Sequence, residues 1–172
     1  MEHPQLSLRR TDVTVVVASV KNRLSGAAFS ALLHLSTVLF LATAVSALDK
    51  QPLTFISSTG SHPITVEVAD SDEKRSTGLM FRRSIGEKEG MLFIYDREQE
   101  ITMWMKNTYI SLDMIFVKRD GVISHIETNT EPFSQNIIDS EGPALAVIEM
   151  GSGSARRLGL KPGDRVQHPV FK

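Results

Sequence analysis

The sequence contains no cysteine at any of its 172 positions. This absence excludes disulfide bonds, thiolate metal ligands, iron–sulfur ligation and cysteine nucleophiles. Aromatic residues make up only 6% of the chain, and neither sign of charge is in excess, since 19 Lys and Arg stand against 20 Asp and Glu. A net charge of −1 does not supply the basic excess that neutralises a phosphate backbone, so we expect no nucleic-acid partner.

The chain also lacks the short motifs of several common enzyme families. It contains no Gly-x-Ser-x-Gly nucleophile elbow, no Walker loop and no dinucleotide-binding fingerprint. The histidines beyond the N-terminal region, His62, His125 and His168, are far apart and do not have the spacing of metal ligands. We therefore predict no zinc site and no cofactor, and the sequence does not decide whether the protein is an enzyme.

The N-terminal 47 residues have the order of charge and hydrophobicity that is typical of an export signal. Four cations and two acids in residues 1–26 precede an uncharged stretch at 27–44, and Val45-Ser46-Ala47 offers small residues for signal peptidase. We predict an N-terminal extension and signal peptide over residues 1–47, cleavage after Ala47 and a periplasmic mature protein. The stretch approaches the ~20 residues that span a bilayer, so a membrane anchor at 27–47 is the alternative. Contact with a membrane is expected only through this segment.

Residues 48–172 are predicted to form a single exported domain that is mainly β. Alternating apolar and polar residues or short apolar runs predict strands at 63–68, 91–95, 101–106, 112–118, 122–128, 144–150 and 165–168. Asp120-Gly121 is a hairpin signal between two of them. Two short helices are expected, one capped by Asp70 and one starting at Gly153 or Ser154. The predicted fold is a compact antiparallel sandwich or barrel-like domain with two short helices.

Six motifs follow one another in this domain. They are Gly78–Arg82 (GLMFR), Glu89–Tyr95 (EGMLFIY), Met103–Thr108 (MWMKNT), Ser111–Phe116 (SLDMIF), Gly142-Pro143 and Gly159–Asp164 (GLKPGD). Their order resembles domain-of-unknown-function family 192, also called uncharacterised protein family 0127, over roughly residues 53–170. The resemblance implies a compact, mainly β domain with small helices, commonly found behind a signal peptide. It implies no established activity.

The residues predicted to bind a ligand lie between Trp104 and Asp113. They are Trp104, Lys106, Asn107, Thr108 and Asp113. In a strand, Trp104 and Lys106 share a face because side chains alternate, and a cation beside an indole suits an anionic or flat ligand. Asp113 is expected beside Lys106, where it would hold the lysine charged and oriented. The alternative interpretation buries Trp104 in the core and uses a Lys106–Asp113 ion pair to stabilise the turn.

Three functions stay open at this point. We favour an exported, non-enzymatic domain that binds a small ligand, an envelope component or a protein partner through these residues. A hydrolase that acts on an envelope component, with Asp113 as base and Lys106 as electrostatic stabiliser, is the alternative. A copper-binding protein would use thioethers between Met80 and Met114, and would need two of them in one accessible hollow. Packing in the core is the other explanation for these methionines. No motif predicts an oligomeric state.

Overall fold

A computed structural model of the chain describes residues 48–172, which form nine strands and two short helices. The predicted signal peptide and its cleavage after Ala47 concern residues outside this described part. The elements in order are β1 (Lys50–Ser57), β2 (Gly60–Ala69), α1 (Asp72–Thr77), β3 (Glu89–Gln99), β4 (Thr102–Met103), β5 (Leu112–Val117), β6 (Ile123–Glu127), β7 (Ile138–Asp139), β8 (Ala144–Gly151), α2 (Ser154–Arg157) and β9 (Arg165–Gln167). Neither helix of the described part is long and apolar enough to cross a bilayer.

Seven of the strands form one sheet in the order β6-β5-β8-β3-β2-β1-β9. Neighbouring strands are antiparallel except β2 and β3, which are parallel. The sheet curls until its two edges meet: Val122 forms a β-bridge with Arg165, and the Val166 backbone N–H donates to the Gly121 carbonyl at 2.8 Å. β4 and β7 pair separately. The prediction of a mainly β, barrel-like domain with two short helices is confirmed.

The predicted Asp120-Gly121 hairpin lies at the point where the curled sheet meets itself. Gly121 has φ of +79°, and a Cβ atom built there would lie 2.6 Å from the Val166 carbonyl oxygen. The position therefore requires glycine for two reasons, the left-handed backbone and the close approach of β9.

Two apolar clusters pack on opposite faces of the sheet. The inner cluster draws residues from all seven strands, among them Phe55, Leu92 and Ile148. The outer cluster contains Phe93 and Val147, because successive side chains of β3 and β8 alternate between the two faces. The segment from Ile101 to Ile110 covers much of the outer cluster. β5 and β8 are consequently buried on both faces, which explains their nearly continuous apolar sequences.

Two local predictions were wrong, and one strand was not predicted. The strand predicted over 101–106 covers only Thr102–Met103, because the chain turns at Lys106 and Asn107. The first strand, β1, carried no strong alternation and was not predicted. Ser71 rather than Asp70 caps α1, since the Ser71 Oγ accepts a hydrogen bond from the Lys74 backbone N–H at 3.3 Å.

Candidate functional site

A hollow of about 190 Å³ opens on the outer face of the sheet. It lies between α1 with the turn that follows, strands β3 and β8, and the segment 102–108. The side chains that shape it are Arg75, Leu79, Met80, Phe93, Tyr95, Met103, Trp104, Lys106, Thr108 and Glu149. Gly78 also lines it, and a Cβ atom there would lie 3.0 Å from the Phe93 ring, so glycine keeps the turn after α1 close to β3. Ser76, Thr77 and Thr102 complete the lining, so the walls combine aromatic rings and thioethers with hydroxyl and charged groups.

Glu149 forms the base of this hollow. It is 4% exposed and lies on β8 between Met91 of β3 and Met114 of β5. Within residues 48–172, no hydrogen bond or ion pair engages its carboxyl group. Its oxygens are open to the hollow, since no fully enclosed side-chain oxygen of the described residues lacks a partner. Burial disfavours the charged form and raises the pKa of Glu149 to about 8. The carboxyl is therefore largely protonated at neutral pH and is free to receive a ligand.

Arg75 and Tyr95 form a rigid wall beside Glu149. The Arg75 guanidinium lies 4.9 Å from the centre of the Tyr95 ring, and it donates to the Ile94 carbonyl at 2.6 Å and to Asp72 Oδ1 at 2.5 Å. The Tyr95 hydroxyl contacts the Met103 sulfur at 3.8 Å. Burial raises the pKa of Tyr95, so its hydroxyl stays protonated over the physiological range. The charge of Arg75 is already shared with a carboxylate.

Trp104 and Lys106 stand at the mouth of the hollow. Trp104 is 54% exposed, Lys106 is exposed, and Met105 between them is buried. The Lys106 Nζ lies 6.0 Å from the centre of the Trp104 ring, at the limit of a cation–π contact. The two side chains share the exposed side, as the alternation predicts, although β4 has ended at Met103. The ion pairs of residues 48–172 do not include Lys106.

Asn107 and Thr108 shape the turn below this mouth. Asn107 adopts φ of +56°, which asparagine tolerates, and its carbonyl accepts a hydrogen bond from the Phe81 backbone N–H at 2.9 Å. Thr108 is buried and lines the hollow, and its hydroxyl donates to the Lys106 carbonyl at 3.3 Å. Asn107 does not line the hollow, so its contacts explain a turn rather than a ligand contact.

Asp113 lies away from the hollow. It is completely buried, and its two carboxylate oxygens accept hydrogen bonds from the backbone N–H groups of Asn129 at 3.0 Å and Ala155 at 2.9 Å. The prediction that Asp113 lies beside Lys106 was wrong. Within residues 48–172 the two side chains form no ion pair, and Lys106 lines the hollow whereas Asp113 does not. The turn between them is longer and more folded than a simple hairpin. Asp113 is not accessible as a base.

A model of the family DUF192, described as "Uncharacterized ACR", matches residues 54–168. The chain belongs to this family. Among solved structures, it is similar to a suggested transcription regulator from Sinorhizobium meliloti 1021, with 41% identity, a TM-score of 0.70 and coverage of 72% of this chain and 97% of that one. It is also similar to a protein of unknown function from Novosphingobium aromaticivorans DSM 12444, with 40% identity, a TM-score of 0.70 and coverage of 73% and 89%. A comparison with curated proteins finds no match.

The five methionines from Met80 to Met114 in this DUF192 domain divide into two groups. Met91, Met105 and Met114 are buried in the outer cluster, where they pack as core residues. Met80 and Met103 line the hollow, which meets the requirement for two thioethers in one accessible place. No group of three or more His, Asp or Glu side chains suited to a metal occurs in residues 48–172. The copper hypothesis stays a prediction.

Sequence reasoning did not identify Glu149 as a site residue. The signal was present, because Glu149 is the one charged residue in the apolar run from Ala144 to Met150. A charged residue that interrupts a fully buried strand has to be paired, neutral or functional. Arg75 and Tyr95 carried no comparable signal, since their approach to β8 depends on how the chain folds after β2.

Proposed function

We propose that this DUF192 domain is an exported, non-enzymatic protein that binds a small ligand in the hollow beneath Trp104. The observation that carries the proposal is the buried carboxyl of Glu149, which lines the hollow and has no partner in residues 48–172. Burying a polar group without compensation costs free energy, so such groups concentrate where a ligand supplies the missing interaction.

The size of the hollow favours a compact ligand. A volume of about 190 Å³ is below the ~300 Å³ at which drug-sized ligand pockets begin. The aromatic residues Phe93, Tyr95 and Trp104 line it and suit an apolar or flat body, and Lys106 adds an exposed cation at the mouth. The ligand is a small solute, or one end of a larger envelope component.

The lining favours binding over hydrolysis. It contains one carboxyl group and no histidine, whereas acid–base hydrolysis needs a second group to activate water or to protonate the leaving group. The candidate base Asp113 is covered and bonded to two backbone N–H groups. The S. meliloti relative is described as a transcription regulator, but the net charge of −1 on this chain does not supply the basic excess that favours DNA binding.

The export part of the proposal rests on residues 1–47. We expect protein recovered from the periplasm of a Gram-negative host to have the mass of a chain that begins at Leu48. An Ala47→Arg variant puts a long cation where a small residue is required, and we expect it to accumulate uncleaved in the membrane. Recovery of the unprocessed wild-type chain from the membrane would favour the anchor at 27–47 instead.

The binding part is tested by a fragment screen with ¹H–¹⁵N NMR. The set contains neutral, anionic, cationic and zwitterionic solutes, and the readout is the indole N–H of Trp104 together with the amides of Phe93, Tyr95 and Glu149. We expect at least one charge class to shift these signals together. Hits that map only to other surfaces, or no hit in any class, would contradict a ligand site in the hollow.

A further inference from the structure

We infer that the hollow binds a compact zwitterion, with its cationic nitrogen against Glu149 and its carboxylate toward Lys106. The inference rests on the proposed function, because it names the ligand class of the same hollow. An unpaired carboxyl group at the base, which can ionise when a cation binds, and an exposed cation at the mouth carry it.

The base of the hollow suits a cation. Glu149 supplies a carboxyl group that no other side chain of residues 48–172 neutralises, and the aromatic residues Phe93 and Trp104 line the same space. Tyr95 also lines it, with Arg75 over its ring. Aromatic faces attract cations through the ring quadrupole, and more strongly where water is excluded. A cationic nitrogen at this place meets both a countercharge and the rings, whereas a neutral solute uses the rings alone.

The mouth of the hollow suits an anion. Lys106 is exposed and forms no ion pair in the described part of the chain, whereas Arg75 is bonded to Asp72 and to the Ile94 carbonyl. Lys106 therefore keeps its charge available. A simple cation would pass this lysine at an electrostatic cost, and a simple anion would gain no ion pair from Glu149 at the base. A molecule with both charges is attracted at both ends.

Binding of a cationic nitrogen is coupled to loss of the proton from Glu149. The protonated carboxyl releases its proton to solvent, and the carboxylate that remains pairs with the nitrogen. The titratable groups that line the hollow with Glu149 are Tyr95 on β3, Arg75 on α1 and Lys106 in the turn after β4, while β5 pairs Met114 with Glu149. Burial holds the pKa of Glu149 near 8, so we expect affinity to rise with pH by up to about tenfold per unit and to level off above pH 8.

The test uses the fluorescence of Trp104, which is the single tryptophan of the chain. Purified protein is titrated with glycine betaine and the small amino acids as zwitterions, with choline as a cation and with tert-butylacetate as an anion of the same shape as betaine. We expect a zwitterion to change the Trp104 emission saturably, and to bind about tenfold or more tightly than choline or tert-butylacetate.

Two variant pairs assign the charges. Glu149→Gln keeps the size of the side chain but cannot ionise, so we expect it to weaken zwitterion binding about tenfold and to abolish the pH dependence. Glu87→Gln, at an exposed position outside the hollow, is its control. Lys106→Met is expected to reduce the preference for betaine over choline, whereas Lys118→Met, at another exposed position, leaves it unchanged.

Three results would overturn the inference. In the first, no zwitterion changes the Trp104 emission. In the second, tert-butylacetate binds as tightly as betaine and its affinity falls with pH, which assigns Glu149 as a hydrogen-bond donor to an anion. In the third, Glu149→Gln binds zwitterions as the wild type does. The proposed function survives each of these if another solute of the fragment screen shifts the signals of the hollow, and fails with the inference only if none does.

Discussion

The carboxylate of Asp113 accepts a hydrogen bond from the backbone N–H of Ala155 at 2.9 Å, across a sequence separation of 42 residues. Its other oxygen accepts from the Asn129 backbone N–H at 3.0 Å. One buried side chain on β5 therefore ties together the start of α2 and the loop after β6. Both hydrogen bonds stabilise the folded domain, because each satisfies a backbone N–H donor.

We predict that Asp113→Asn destabilises the domain without acting on ligand binding. The amide keeps one acceptor oxygen and turns its NH₂ group toward a backbone N–H, so one of the two hydrogen bonds is lost. Urea unfolding should show a free energy of unfolding lower by about 1–3 kcal/mol. Asp139→Asn is the control, since Asp139 accepts one backbone N–H at an exposed turn. An Asp113→Asn protein that keeps wild-type stability but no longer binds the ligand would contradict this prediction and would indicate that Asp113 contacts the ligand.

Lys106→Met should affect binding and leave folding almost unchanged. Lys106 is exposed and forms no ion pair within residues 48–172, so we expect the free energy of unfolding to change by no more than ~1 kcal/mol. Ligand binding, read by Trp104 emission, should be lost or weakened. Lys118→Met serves as the matched control. A cooperative loss of structure in Lys106→Met would instead make the lysine a structural residue.

The free energy of unfolding should depend on pH through Glu149. The pKa of its carboxyl is 4.5 when the chain is unfolded and about 8 when it is folded. Between these values the folded state binds more protons, so the stability that protonation contributes falls as the pH rises from 4.5 to 8. We expect thermal unfolding to occur at lower temperature at pH 8 than at pH 6 for this reason.

Glu149→Gln isolates that contribution. The pKa of His168 is lowered by burial, so His168 acts in the opposite direction and destabilises the protein as the pH falls below about 6.5. Because the variant retains His168, the difference in unfolding free energy between variant and wild type reports Glu149 alone. We expect this difference to favour the variant increasingly from pH 6 to pH 8 and to level off above that. A difference that does not change with pH would mean that Glu149 is ionised and compensated.

Much of the fold could be predicted from the sequence because it is encoded locally. The strand predicted over 144–150 is β8, which extends one residue further to Gly151. Asp120-Gly121 lies in the hairpin turn that this residue pair favours. The closure of the sheet could not be predicted, since the pairing of Val122 with Arg165 depends on how seven strands curl together. Local patterns contain no information about such distant partners.

The candidate site was predictable only in part. Trp104 and Lys106 lie together at the mouth of the hollow, and the alternation of side chains had predicted that they share one face. The predicted pairing of Lys106 with Asp113 was wrong, because residues that are close in the sequence were expected to be close in space. The intervening turn separates them. Glu149 was recognisable as an anomaly in an apolar strand, but its role depends on the hollow, which α1 and the 102–108 segment form around it.

The most direct test of the account is a ¹³C NMR titration of the Glu149 side-chain carboxyl, with and without the solute that shifts Trp104. In the free protein we predict a midpoint near pH 8, and with the solute bound we predict a lower midpoint, because the cationic nitrogen stabilises the carboxylate. A midpoint close to 4.5 in the free protein, unchanged by the solute, would contradict an unpartnered carboxyl at the base of a binding hollow.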